Sequence, residues 1–151
     1  RVYGRRLVAV GAGIRQGRSW LTYEIPAAAD DDLLRVQAAD VTGDGRAELL
    51  FRIRQRLDEV AREILLVHRI TANGFPRLLQ VEVARQRGRD RVTNRVVARG
   101  GRLRILPGRA QGFGPERWPF TRDPNDAAEP LLLPWRDRPV TYRFRGGRLV
   151  R

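Results

Sequence analysis

The chain contains no cysteine, no methionine and no lysine, and it has one histidine, His68, and one serine, Ser19. Without cysteine there are no disulfides, no thiolate metal sites and no thiol redox chemistry, and the redox compartment is left open. A Ser–His–carboxylate triad would need Ser19 and His68 to meet an acid in space. His68 lies in an apolar run, where a packed, hydrogen-bonded imidazole is expected. No catalytic residue is therefore assigned, and the chain is read as non-enzymatic. Long apolar stretches are lacking too. Such runs as there are, residues 64–67 and 131–133 among them, are strand-sized, whereas a membrane span needs about 20 residues. Gly11-Ala12-Gly13 lacks the third glycine and the following helix of a phosphate-cradling loop. The sequence opens on Arg1 with no visible signal peptide, which suggests a processed chain or a piece of a longer one.

What is present suffices for one domain, taken as residues 1–151. At this length a fold buries about 70% of the surface its unfolded chain exposes, and 42% hydrophobic residues supply a core. The net charge is +13, and all 30 basic residues are arginine. Nucleic-acid binders usually mix the two basic residues, so arginine alone reads as compositional bias. The charge is also unevenly placed. Residues 1–50 hold 7 arginines and 7 acids, whereas residues 51–151 carry the whole excess of +13. The basic stretch 85–109 could attract polyanions at low salt.

Short apolar runs punctuated by Gly, Asn, Asp or Pro recur along the chain, the pattern of successive strands and turns. Residues 6–10, 20–25, 33–39 and 48–55 read as strands. In the last of these, Leu49, Phe51 and Ile53 share one face, which suits a half-buried antiparallel strand. Residues 57–65 are ambiguous, and a short turn followed by a strand is the preferred reading. Asn73-Gly74 is a hairpin signal, and glycine pairs separate the runs 92–98, 103–106 and 140–144. Residues 107–130, rich in Gly, Pro and aromatics, read as a long packed loop. Asp30-Asp31-Asp32 reads as a solvated loop, and Trp20, Trp118 and Trp135 as core. The expected fold class is all-β, a single domain of antiparallel hairpins, with a propeller-like fragment as one form of it.

One nine-residue stretch carries chemistry. Asp40-Val41-Thr42-Gly43-Asp44-Gly45-Arg46-Ala47-Glu48 puts side-chain oxygens at loop positions 1, 3, 5 and 9. Calcium takes six to eight hard oxygen ligands, several of them carboxylates. Alternate residues of a tightly curled loop can turn inward onto one point, and the two glycines permit the curling. An EF-hand begins similarly but needs a carboxylate at position 12 and flanking helices. Position 12 here is Phe51 and both flanks alternate like strands, so the EF-hand reading fails.

This stretch, followed by Leu49-Leu50-Phe51, resembles the calcium loop of FG-GAP or VCBS-type repeats, which build blades of integrin-type β-propellers and occur in many secreted or surface bacterial proteins. The resemblance covers residues 36–53 in one copy. It implies Asp40, Thr42, Asp44 and Glu48 as side-chain ligands of Ca2+, with Arg46 offering its carbonyl. Thr42 stands where Asp or Asn is usual, and Glu48 where Asp is common. The function this implies is a non-catalytic, calcium-stabilised structural or binding module of a secreted, periplasmic or surface protein, with a protein or glycan partner. The alternative is a polyanion-binding module using the basic stretch 85–109.

Overall fold

The computed structural model describes residues 8–14 and 18–151, with side chains from residue 23 onward. The strands β1 (Val8–Ile14) and β2 (Arg18–Glu24) form one antiparallel hairpin. Eight further strands form a single sheet: β3 (Leu33–Ala39), β4 (Glu48–Leu57), β5 (Val60–His68), β6 (Arg77–Arg87), β7 (Asp90–Ala98), β8 (Leu103–Gln111), β9 (Val140–Arg145) and β10 (Arg148–Val150). Their spatial order is their chain order, and every pairing is antiparallel. The all-β expectation holds, as a two-stranded hairpin and an eight-stranded antiparallel sheet. No helix among the described residues is long and apolar enough to cross a membrane.

The meander follows from short turns. Residues 57–65 resolve into a hairpin: Leu57 pairs with Val60 around Asp58-Glu59, and Asp58 takes the positive φ (51°) that the turn demands. Aspartate is among the few residues that tolerate that conformation. On β5 the run Ile64–His68 is buried without interruption, because both faces of the sheet are covered there. Leu50, Leu65 and Val67 face the main core, which they share with Val81, Val83, Leu103, Ile105, Tyr142 and Leu149. Phe51, Ile53, Ile64 and Leu66 face the other way, under Ile25, Tyr23 and Ala128. Complete burial of each such aliphatic side chain contributes about 1.5–3 kcal/mol.

The main core lies inside the sheet, because the sheet folds on itself. β6 pairs with β7 only from Ala84↔Thr93 to Arg87↔Asp90, after which the two strands part. The edge of β6 released in this way bonds instead to the 129 segment: Glu82 N–H donates to Glu129 O and Glu129 N–H to Gln80 O, both 2.9 Å. The Glu129 carboxylate in turn accepts from the Tyr142 hydroxyl and from Arg151, both at 2.8 Å, and so ties β9 and the chain's last residue to β6. Burial, with that carboxylate next to it, pushes the Tyr142 hydroxyl's pKa upward.

Two expectations are corrected. β8 does not stop before Pro107; it runs to Gln111, and residues 112–139 form the irregular segment, apart from a short 3-10 turn at Pro115–Arg117. Pro107 is tolerated within the strand because β7 and β8 slip register there. Thr93 pairs with Arg109 and Arg95 with Leu106, so Asn94 alone opposes Pro107 and Gly108. A bulge is where a strand accepts a residue without N–H. The second correction is Asp30–Asp32, a 3-10 turn rather than a wholly solvated loop: Asp32 is 2% exposed and lies 3.2 Å from the Arg56 guanidinium. Trp118 and Trp135 pack as expected, edge-on to each other and with Phe113 and Phe120 over Leu131 and Leu133. The Trp20 side chain lies outside the described residues, as does that of Ser19.

His68 ends β5 with 2% exposure, its ring 4.3 Å from that of Tyr23 and 5.9 Å from that of Phe51. Its Nδ1 lies 2.9 Å from Phe75 O. A carbonyl can only accept, so Nδ1 carries the proton of a neutral imidazole. Burial pushes the His68 pKa below its ordinary 6.5, the bond to Phe75 opposes this, and Arg77 adds to the lowering. The unfolded chain therefore takes up the proton first as pH falls. The stability His68 contributes is complete above pH 6.5 and declines below it. His68 is the only histidine, so urea midpoints should fall between about pH 7 and pH 5 and flatten over that window in His68→Gln. An equal fall in both proteins would assign the titration elsewhere.

Candidate functional site

The loop joining β3 to β4 is built by its first residue. Asp40 Oδ1 accepts from the N–H of Gly43 (2.6 Å) and of Thr42 (3.2 Å), and Oδ2 accepts from the N–H of Gly45 (3.0 Å). One carboxylate thus wraps the backbone around itself, which Gly43 (φ 84°) and Gly45 (φ 78°) allow. The Gly43 bond, supported by Gly45 and Thr42, holds the Asp40 carboxyl below its usual pKa, although Asp44 nearby pushes it up. Asp44 is lowered as well, chiefly by the N–H of Arg46, which donates to Asp44 Oδ1 at 3.0 Å, and further by Thr42 and Arg69.

The last loop residue is fully buried. Glu48 is 0% exposed, and a buried carboxylate is costly unless it is hydrogen-bonded and balanced by charge. Its Oε2 accepts the Val41 N–H at 3.0 Å, and its Oε1 lies 3.2 Å from both Thr42 Oγ1 and Arg69 Nε. The same guanidinium donates through one terminal nitrogen to Thr42 Oγ1 (2.9 Å) and to Asp44 Oδ2. The Arg69 Cζ sits 4.6 Å from the centroid of the Phe144 ring, which closes the other side. The oxygens of Thr42, Asp44 and Glu48 therefore converge, and they converge on a positive charge.

Four of the residues singled out from the sequence enter this arrangement through side chains: Asp40, Thr42, Asp44 and Glu48. Arg46 enters through its N–H. Asp40 shapes the loop and faces backbone, whereas the other three face Arg69. Among the described residues no group of three or more His, Cys, Asp or Glu side chains is arranged to hold a metal ion. The donor chemistry is nevertheless all hard oxygen, the kind calcium takes, and a guanidinium stands where those oxygens meet.

Sequence reasoning missed Arg69. It stands 21 residues beyond Glu48 in the chain, next after His68, which pairs with Leu49. Counting back from the Asp58-Glu59 turn would have set Arg69 opposite Glu48, and the ambiguity of residues 57–65 hid that register.

Part of the basic stretch 85–109 is taken up in ion pairs and ring contacts. Arg85 makes a two-pronged bond to the buried Glu82 (2.6 and 2.5 Å) and lies, with Arg87, over the Phe120 ring. Arg91 bonds Glu63 at 2.8 Å.

The fold and the loop define a class, an antiparallel all-β domain with a cation-centred acidic loop. Comparison with protein-family models, with curated proteins and with solved structures returned no match.

Proposed function

We propose that this chain is a non-catalytic β-domain, a structural or binding module of a secreted, periplasmic or surface protein, whose 40–48 loop is locked by a cation and accepts calcium. The reading rests on one observation: the oxygens of Thr42, Asp44 and Glu48 gather around the Arg69 guanidinium. Carboxylates this close repel unless a positive charge lies between them. Arg69 meets that need from within the chain, and Ca2+ would compete for the same oxygens, with Arg46 offering its carbonyl. The outward location follows the calcium supply, since extracellular calcium modules work with dissociation constants of about 0.1–1 mM.

Thermal melting with and without calcium tests it. A site of that strength, about tenfold saturated, stabilises by about 1.4 kcal/mol, which for a domain of this size raises Tm by about 3–5 °C. Asp44→Ala is expected to abolish the rise. An unchanged melt at about 5 mM calcium would overturn the calcium reading and leave a turn held by arginine alone.

A further inference from the structure

Between the two halves of the folded sheet lies a cleft of about 990 Å³. One wall is the inner face of β3 to β5, with Arg35, Gln37 and Arg52; the other is β7 from Thr93 to Arg99, joined by Arg109 of β8. Arg52 is bonded to Glu63 at 2.6 Å. Among the described residues Arg35, Arg95, Arg99 and Arg109 make no ion pair, and no Asp or Glu lines the cleft. The site therefore selects negative charge.

The backbone narrows the choice. β7 leaves β6 after Thr93, so beyond that point its inner edge has no strand beside it among the described residues. Arg99 N–H donates to Arg102 O at the hairpin end (3.1 Å). In an antiparallel ladder, residues turn their N–H and C=O alternately toward the partner and away from it. Val97 and Arg95 thus bond to β8, and the N–H and C=O of Val96 and Ala98 point into the cleft. Just before them lies Asn94, 2% exposed: its Oδ1 accepts the Gly108 N–H at 3.2 Å, and its Nδ2 has no partner among the described residues. A row of unspent backbone donors and acceptors beside a buried spare amide is a template for an added strand. Nucleic acid fits less well, because among the described residues no aromatic ring lines the cleft to stack a base.

We infer that β7 accepts an extended acidic peptide of about five residues as an added strand, pairing with the Val96 and Ala98 backbone while its carboxylates meet Arg35, Arg99 and Arg109. The acidic side chains set selection and the backbone ladder sets the bound conformation. This site is separate from the calcium loop, and it is narrower than a general attraction for polyanions.

Fluorescence anisotropy of the full chain with a labelled peptide of alternating valine and glutamate tests the inference. Binding is expected to weaken about tenfold when alternate peptide nitrogens are methylated, which keeps the charge and removes the ladder. The Arg99→Glu, Arg109→Glu double variant, with its fold checked by circular dichroism, is expected to lose a similar factor. Amide exchange at Val96 and Ala98 should slow on binding. Methylated and plain peptides binding alike would overturn the inference in favour of bare charge attraction. A single-stranded oligothymidine or a heparin fragment binding more tightly than the peptide would overturn it too, as would absence of binding.

Discussion

Arg69→Ala is expected to destabilise the protein by about 3 kcal/mol, because it leaves the buried Glu48 without its counter-charge. Val41 N–H and Thr42 Oγ1 remain as neutral donors to that carboxylate, so the loss falls at the lower end of what breaking a buried pair costs. At this domain size it corresponds to a fall in Tm of about 6–12 °C. Arg69→Lys should recover only part of it. An ammonium keeps the charge, but it lacks the planar fork that reaches Thr42, Asp44 and Glu48 together. Calcium gives the variant a second use. With the internal cation removed, the oxygens are open, so calcium should raise the melt of Arg69→Ala more than that of the parent chain. A melt within about 1 °C of the parent, with chelator present, would mean that Arg69 is no structural part of the loop.

The second large effect is expected at Gly108. A Cβ built there would lie 1.6 Å from Thr93 O, 2.7 Å from Thr93 C and 3.1 Å from Asn94 Cα. All three are backbone atoms of the neighbouring strand, so no side-chain rotation can relieve the clash. Gly108→Ala should therefore cost about 3 kcal/mol or more, at or beyond the usual range for overpacking. Chemical denaturation would read it as a lower midpoint. Gly114→Ala is the control: nothing among the described residues lies within 4 Å of a Cβ there, and its φ of −159° is ordinary extended backbone. Its midpoint should move by less than about 0.5 kcal/mol equivalent. Similar losses at both glycines would show that the bulge between β7 and β8 is not tight.

Much of the fold was legible because it is set by neighbours in the chain. The run that became β3 is found at its expected bounds, and the strand expectation for β4 holds with Phe51 and Ile53 on one buried face. Where a local rule pointed the wrong way, a longer-range fact had overridden it. Pro107 marks a strand end in isolation, and it is allowed within β8 because β7 slips by one residue beside it. Residues 57–65 carry both helical spacing and branched residues. Pairing with β4 and β6 on either side decides for strand. The unbroken burial of residues 64–68 was likewise not readable as a two-sided cover, because the second cover comes from Tyr23, Ile25 and Ala128, far off in sequence.

The sequence by itself determined that this is a β-protein and where its acidic loop lies, because residue alternation and turn chemistry act over a few bonds. The inward sense of Thr42, Asp44 and Glu48 was implicit in the same nine residues. The tertiary structure alone decided what the loop surrounds and what the basic half surrounds. Arg69 reaches the loop through the register of a hairpin two strands long, and Arg35 comes to face Arg99 and Arg109 only because the sheet doubles back after β6. Charge is a property of residues, but a field depends on distance, and distance between remote residues is set by the fold.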